Sequence, residues 1–112
     1  MIETISDQNQ TIQKVICPKF EQSFQILGKK WNGLIIDVLL EGPKRFKDIS
    51  GCICDVSDRV LTERLKELEQ EGIVERTICE ETNMRSGYAL TEKGADLNKV
   101  MNEIQTWSNK WI

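Results

Sequence analysis

The sequence predicts a mainly α-helical fold with one small β-hairpin, and three observations carry that expectation. Over residues 56 to 90 a short, strongly periodic helix (VSDRVLTERLKELEQEG) is followed by two strand-like runs with a polar tip containing Arg85. Upstream of it, apolar residues recur at three- and four-residue spacing in two further stretches. The C-terminal segment carries another apolar stripe, several turns long.

Residues 1 to 15 are polar, with scattered Ile and Val and no firm period. They read as a mobile arm, or as one whose Ile12, Val15 and Ile16 pack on a second subunit. Pro18 suits a first helical turn, after which Phe20, Phe24 and Leu27 share one face until Gly28 stops the run. A second helix is expected over residues 29 to 40, burying Trp31, Leu34, Ile35, Val38 and Leu39 and ended by Glu41-Gly42-Pro43. Phe46 and Ile49 mark a short third helix, and GCICDV, residues 51 to 56, reads as a turn.

Ser57 is a good N-cap, and Asp58 suits the first turn of the next helix, where a carboxylate meets unpaired amides. Val60, Leu61, Leu65 and Leu68 then bury one side, leaving Arg59, Thr62, Glu63 and Lys66 as the exposed row. Gly72 is placed for a C-cap, and strands follow over residues 73 to 79 and 86 to 91. A last helix over residues 94 to 111 carries Leu97, Val100, Met101, Ile104, Trp107 and Trp111. A domain this small has little inner surface left to cover that stripe, so a symmetric dimer is the economical explanation.

At 112 residues, with 39% hydrophobic and 29% charged residues, the chain fits one domain with a modest core. Its net charge of −3 does not advertise a polyanion partner, but the charge is uneven. Lys29, Lys30, Lys44, Arg45 and Lys47 meet only Asp37 and Glu41 between positions 29 and 47, whereas acids gather at Glu67, Glu69, Glu71, Glu75, Glu80 and Glu81. There is no run long and apolar enough for a membrane span and no secretory pattern, so the cytoplasm is expected and no membrane partner. Cys17, Cys52, Cys54 and Cys79 are then expected reduced at rest. An enzyme is not expected: there is no histidine for general base work, no glycine-rich phosphate cradle, and no pair of acids in an apolar setting. No cofactor is expected.

Three helices, a capped helix with a polar outer face and a hairpin with a basic tip together describe a winged helix-turn-helix. In that geometry Ser57, Arg59 and Thr62 lie nearest the bases of a major groove, with Glu63 and Lys66 further along. Lys44, Arg45 and Lys47, before and within the third helix, are placed for phosphates, and Arg85 for backbone or minor groove. The bland alternative is a solvated helix face, which taken alone is the favoured explanation of such a row. What argues against it is the hairpin directly after the second helix of a helix-turn-helix. Arg64 is open between two roles, bridging an acid such as Asp58, Glu67 or Glu71 and touching DNA. A rival reading is a protein-interaction module on the same scaffold, which the acidic excess favours.

The chain also resembles the HxlR-type family of bacterial winged-helix regulators. The matching stretches are CPKFEQSFQILGKKWNGLII from Cys17, LLEGPKRFKDI from Leu39, SDRVLTERLKELEQEGIVER from Ser57 and GYALTEKG from Gly87. The resemblance implies a homodimer joined through terminal helices that binds inverted-repeat, pseudo-palindromic double-stranded DNA, most often as a repressor and sometimes as an activator. It divides the chain into an arm contributing to the dimer (1–15), a DNA-binding domain (16–92) and a dimerisation helix (93–112), with the wing tip at residues 83 to 86. Two departures stand out. The family's wing prolines are replaced by Thr82, Asn83 and Met84, which points to a more mobile wing, and Cys52 and Cys54 are not part of the usual pattern.

Cys17 precedes Pro18 at a helix start, where unpaired amides favour a thiolate. It is the leading candidate for a thiol that senses a small electrophile or oxidant, a role that some family members give a cysteine at this place. Its alternative is a small buried hydrophobe against Phe20 and a partner subunit. Cys52 and Cys54 sit beside the recognition helix and are further redox candidates; a structural zinc there, completed by other cysteines, is the lesser alternative.

Overall fold

The computed structural model describes residues 5–7, 10–12, 14–79 and 84–112. Its elements are β1 (Ile5–Asp7), β2 (Gln10–Ile12), α1 (Pro18–Leu27), α2 (Asn32–Leu39), β3 (Lys44–Arg45), α3 (Phe46–Cys52), α4 (Asp58–Gln70), β4 (Val74–Cys79), β5 (Met84–Leu90), α5 (Glu92–Ala95) and α6 (Asn98–Trp111). Strands β1 and β2 form a small antiparallel hairpin inside the segment expected to lack regular structure. Their pairing is local, and the sequence there has none of the alternation that announces a strand. No helix among the described residues is long and apolar enough to cross a membrane.

The core is one cluster of Ile35, Ile36, Leu39, Ile49, Ile53, Val56, Leu61, Leu65, Leu68, Ile73 and Val74. Helix α2 is its hub, packing against α1, α3, α6 and β5. Its inner face differs from the expected stripe. Ile36 is buried and Leu34 is exposed, and the helix starts three residues later than the apolar pattern suggests. The delay is backbone-driven: Asn32 N–H closes a turn on the Lys29 carbonyl, and Trp31 takes a left-handed conformation at φ 82° that cannot begin a helix. Asn32, 2% exposed, holds the turn by donating from Nδ2 to the Ile26 carbonyl at 2.8 Å.

On α1 the expected inner face is likewise rotated. Ile26 and Leu27 pack against the core, whereas Phe20 and Phe24 are exposed and meet edge to face, with ring centroids 5.0 Å apart.

The sheet order is β3-β5-β4, all antiparallel. Strand β3 corrects the sequence reading, which placed Lys44 and Arg45 in the approach to α3. They instead pair with Tyr88 and Gly87 at the base of the hairpin, a strand too short for any periodic signal. Gly87 is central in the sheet, and a Cβ there would lie 2.7 Å from Thr77 Oγ1 and 3.0 Å from the Lys44 carbonyl oxygen. Only glycine lets the two outer strands close on β5 at this point.

The expected C-terminal helix is two helices. Thr91, expected as the last strand residue, caps α5: its Oγ1 accepts from Gly94 N–H at 3.1 Å and its own N–H donates to the Ile73 carbonyl at 3.0 Å. Gly94 passes so close to the Ile73 carbonyl that any Cβ would collide with it. This junction locks the end of β5 to the end of α4 and sets the direction in which α6 leaves.

Gly87→Ala is expected to lower unfolding stability by about 1–3 kcal/mol, the usual cost of forced overpacking. Urea denaturation measures it. Adding Thr77→Ala should recover only part of the loss, because the Lys44 carbonyl stays in place.

Candidate nucleic-acid interface

Helix α4 begins where a side chain replaces a missing backbone partner. Ser57 Oγ accepts the Val60 N–H at 3.2 Å, and Ser50 Oγ donates to Asp58 Oδ1 at 3.4 Å, tying the end of α3 to the first turn of α4. Leu61, Leu65 and Leu68 are buried at helical spacing, and Val60 is half-buried. Burial of that side turns Ser57, Arg59, Thr62, Glu63 and Lys66 outward, and all five are exposed. Thr62 Oγ1 donates to the Asp58 carbonyl at 2.8 Å, which leaves its oxygen lone pairs available as acceptors. Arg59 and Lys66 form no ion pair among the described residues, whereas Glu63 lies 3.8 Å from Arg64.

Arg64 belongs to the frame. Its side chain is 15% exposed, and Nη1 lies 2.6 Å from Glu67 Oε1. Lys29 Nζ reaches the same carboxylate at 3.0 Å, so the turn after α1 is clamped to the middle of α4. The Lys29 hydrogen bond, helped by the nearby charges of Arg64 and Lys29, holds the Glu67 carboxyl below its ordinary 4.5, against a smaller opposing effect of burial.

The other expected basic contacts divide. Arg45 and Lys47 are exposed, while Lys44 is largely covered and sits 3.2 Å from Glu41, which makes it a poorer phosphate ligand than its neighbours. Arg85 lies in β5 opposite Ile78; its side chain and residues 80 to 83 of the wing fall outside the described residues. Sequence reasoning missed Arg76. It stands opposite Tyr88 across β4 and β5, its guanidinium 4.8 Å from the ring centroid. The register of the hairpin would have revealed the pair, but single-sequence reading does not supply a register.

Cys17 is the N-cap residue of α1, exposed, with no side-chain capping hydrogen bond. Cys52 ends α3 and Cys54 follows in the turn, both exposed. The Cys79 side chain lies outside the described residues, and among those described no three His, Cys, Asp or Glu gather as metal ligands.

The C-terminal stripe splits in two. Leu97 and Met101, expected at a dimer surface, pack against the protomer's own core. Val100, Ile104, Trp107 and Trp111 remain exposed, Trp107 by 58%. At 100° per residue the first two lie beside the other four on the helix circumference, so α6 can serve the core with one edge and offer the next outward.

A capped helix presented by a three-helix frame, followed by a hairpin in the same sheet, defines the class: a winged helix-turn-helix domain of the DNA-binding kind. The family model for HxlR-like helix-turn-helix proteins matches residues 26–112, and the chain belongs to that family. The HTH-type transcriptional regulator YodB of Bacillus subtilis (strain 168) is 53% identical over 96 residues, 86% of each chain. Among solved structures, quinone-bound YodB from B. subtilis superposes with a TM-score of 0.75 at 51% identity, covering 86% of this chain and 100% of that one. The redox regulator HypR in its reduced form gives 0.74 at 29% identity, covering 82% and 91%. The chain is a DNA-binding transcriptional regulator of the HxlR type.

Because the folded-state value of Glu67 is lowered, its contribution to stability is present in full above about pH 4.5 and is lost as pH falls through that lowered value. Melting temperatures between about pH 5 and pH 3 should therefore fall more steeply for the wild type than for Glu67→Gln.

Proposed function

We propose that the chain is a homodimeric repressor that binds an inverted-repeat operator with one α4 in each of two successive major grooves, and that modification of Cys17 by a small electrophile or oxidant releases it. One observation carries the DNA part: the outward row Ser57, Arg59, Thr62, Glu63 and Lys66 is fixed by full burial of the opposite face of the same helix. Arg59 is the base-reading residue, offering a fork of donors to guanine O6 and N7, with Ser57 and Thr62 beside it. Arg45 and Lys47, at the foot of the wing, serve phosphates, with Lys44 in a lesser role and Arg85 on the wing.

The dimer is supported by the exposed Val100, Ile104, Trp107 and Trp111 on α6 and by Phe20 and Phe24 on α1. Large apolar side chains left in water at two terminal helices are explained by a second copy. In this reading residues 1–15 form an arm contributing to the dimer, 16–92 the DNA-binding unit and 93–112 the dimerisation segment. The two recognition helices must stand about 34 Å apart to enter neighbouring grooves. A modest rotation at the dimer interface is enough to break that match.

The thiol switch is supported by the exposure of Cys17 at the start of α1, a helix that also carries the exposed Phe20 and Phe24. Relatives with structures include a quinone-bound YodB and both reduced and oxidised forms of HypR. A covalent adduct on Cys17 adds bulk at the edge of that interface and shifts one α1 against the other subunit. The effector class is a soft electrophile such as a quinone, or an oxidant.

Selection of bound duplexes from a random pool, with the protein kept reduced, is expected to recover two half-sites in inverted orientation. Arg59→Ala should cost about 1–3 kcal/mol and relax preference at one position of each half-site, whereas Lys47→Ala should weaken all sequences alike and reduce the salt slope by about one unit. A sequence-independent loss of the same size for both variants would refute these roles and favour a protein-interaction module. Treatment with a benzoquinone should abolish retention of the selected duplex by the wild type and spare Cys17→Ser, as read by gel shift; equal loss in both would remove Cys17 from the switch.

A further inference from the structure

Cys52 closes α3, and Cys54 follows two residues later, with Ile53 between them only 6% exposed in the core. Ile53 leaves the helix at φ −118° and ψ 82°, and with its own side chain in the core both flanking cysteines are exposed. One buried anchor thereby holds two exposed thiols two residues apart. The segment is held at both ends. Ile53 N–H donates to the Ile49 carbonyl at 3.1 Å, and Val56, 7% exposed, donates to the Ile53 carbonyl at 3.3 Å. Such a pair is preorganised, and preorganisation lowers the entropy lost when one ligand takes both sulfurs.

The geometry also selects what fits. A tetrahedral metal ion needs about four donors, and no third is gathered here among the described residues. A trivalent centre with two open valences, its third filled by carbon, needs no donor beyond these two thiols.

We propose that Cys52 and Cys54 form a two-thiol site for trivalent organoarsenicals, separate from Cys17. In the step, both S–H bonds and the As=O bond of R–As=O break and two As–S bonds form. The oxide oxygen leaves as water with the two thiol protons, and arsenic stays trivalent. The resulting ring clamps the turn that runs through Val56 into Ser57, the cap of α4, and shifts the axis on which Arg59 is presented. That coupling to DNA rests on the operator-binding reading; the arsenic site itself rests only on the turn.

Phenylarsine oxide, titrated into the reduced full-length protein, is expected to bind one per chain with loss of two reactive thiols, reversed by 2,3-dimercaptopropanol and not by an equal concentration of monothiol. Cys52→Ser and Cys54→Ser should each weaken binding by at least about 100-fold, the loss of a chelate, with melting temperatures close to wild type. Cys17→Ser and Cys79→Ser should retain it. Wild-type affinity in either turn variant, or loss of binding in Cys17→Ser, would overturn the site. Arsenical-loaded wild type should bind the selected duplex at least tenfold more weakly than the unloaded protein, and full loading with unchanged DNA affinity would overturn the coupling. Failure of the unloaded protein to select any duplex would refute operator binding, and with it the coupling, while the thiol titration would still decide the arsenic site independently.

Discussion

Burial of a single face of α4 is the constraint from which the rest of this molecule follows. Leu61, Leu65 and Leu68 lie in the same core as Ile35, Ile36 and Leu39 of α2 and Ile49 of α3, and each such side chain contributes on the order of 2 kcal/mol when removed from water. A helix committed on one side has no freedom to rotate, so the polar residues on the other side are aimed as well as exposed. The Ser57 cap and the Ser50–Asp58 hydrogen bond fix where the helix begins, while the Lys29–Glu67–Arg64 cluster braces its middle. The surface charges add modestly to stability, typically below about 1 kcal/mol per exposed pair, but they oppose rolling of the helix over the core.

The wing is tied to this frame through backbone contacts that need small residues. Gly87 lets β3 and β4 approach β5 from both sides, and Gly94 lets α5 pass under the Ile73 carbonyl. Thr91 and Lys93 then serve the end of α4, Thr91 Oγ1 bonding to the Gly72 and Ile73 carbonyls and Lys93 Nζ reaching the Glu71 carbonyl at 2.6 Å. Recognition helix, hairpin and terminal helix therefore share one junction. A displacement of α6 thus has a short mechanical route to α4.

Much of the site was legible from residue order. The Ser57 cap, the leucine spacing of α4 and the exposed row between them are local properties of a helix, so periodicity sufficed. Arg64 pairing with Glu67 is likewise an i,i+3 relation that any helical wheel displays. Several of the misreadings involve partners distant in sequence, and others a local backbone turn that residue type does not announce. Lys44 and Arg45 look like a loop because a two-residue strand is defined only by its hydrogen bonds to Tyr88 and Gly87. Arg76 gains its aromatic partner only from the hairpin register, and Trp31 delays α2 through a left-handed backbone that tryptophan does not advertise.

From the residues alone came the number of main helices, the hairpin after the recognition helix and the face of α4 that stays wet, because each depends on interactions within a few residues. The tertiary structure decided how amphipathic faces were shared out: Leu97 and Met101 went to the core, Val100, Ile104, Trp107 and Trp111 stayed outside, and Phe20 and Phe24 were left without cover. Hydrophobicity states that a side chain must leave water. Only the three-dimensional arrangement of neighbours determines whether its own chain or another one covers it.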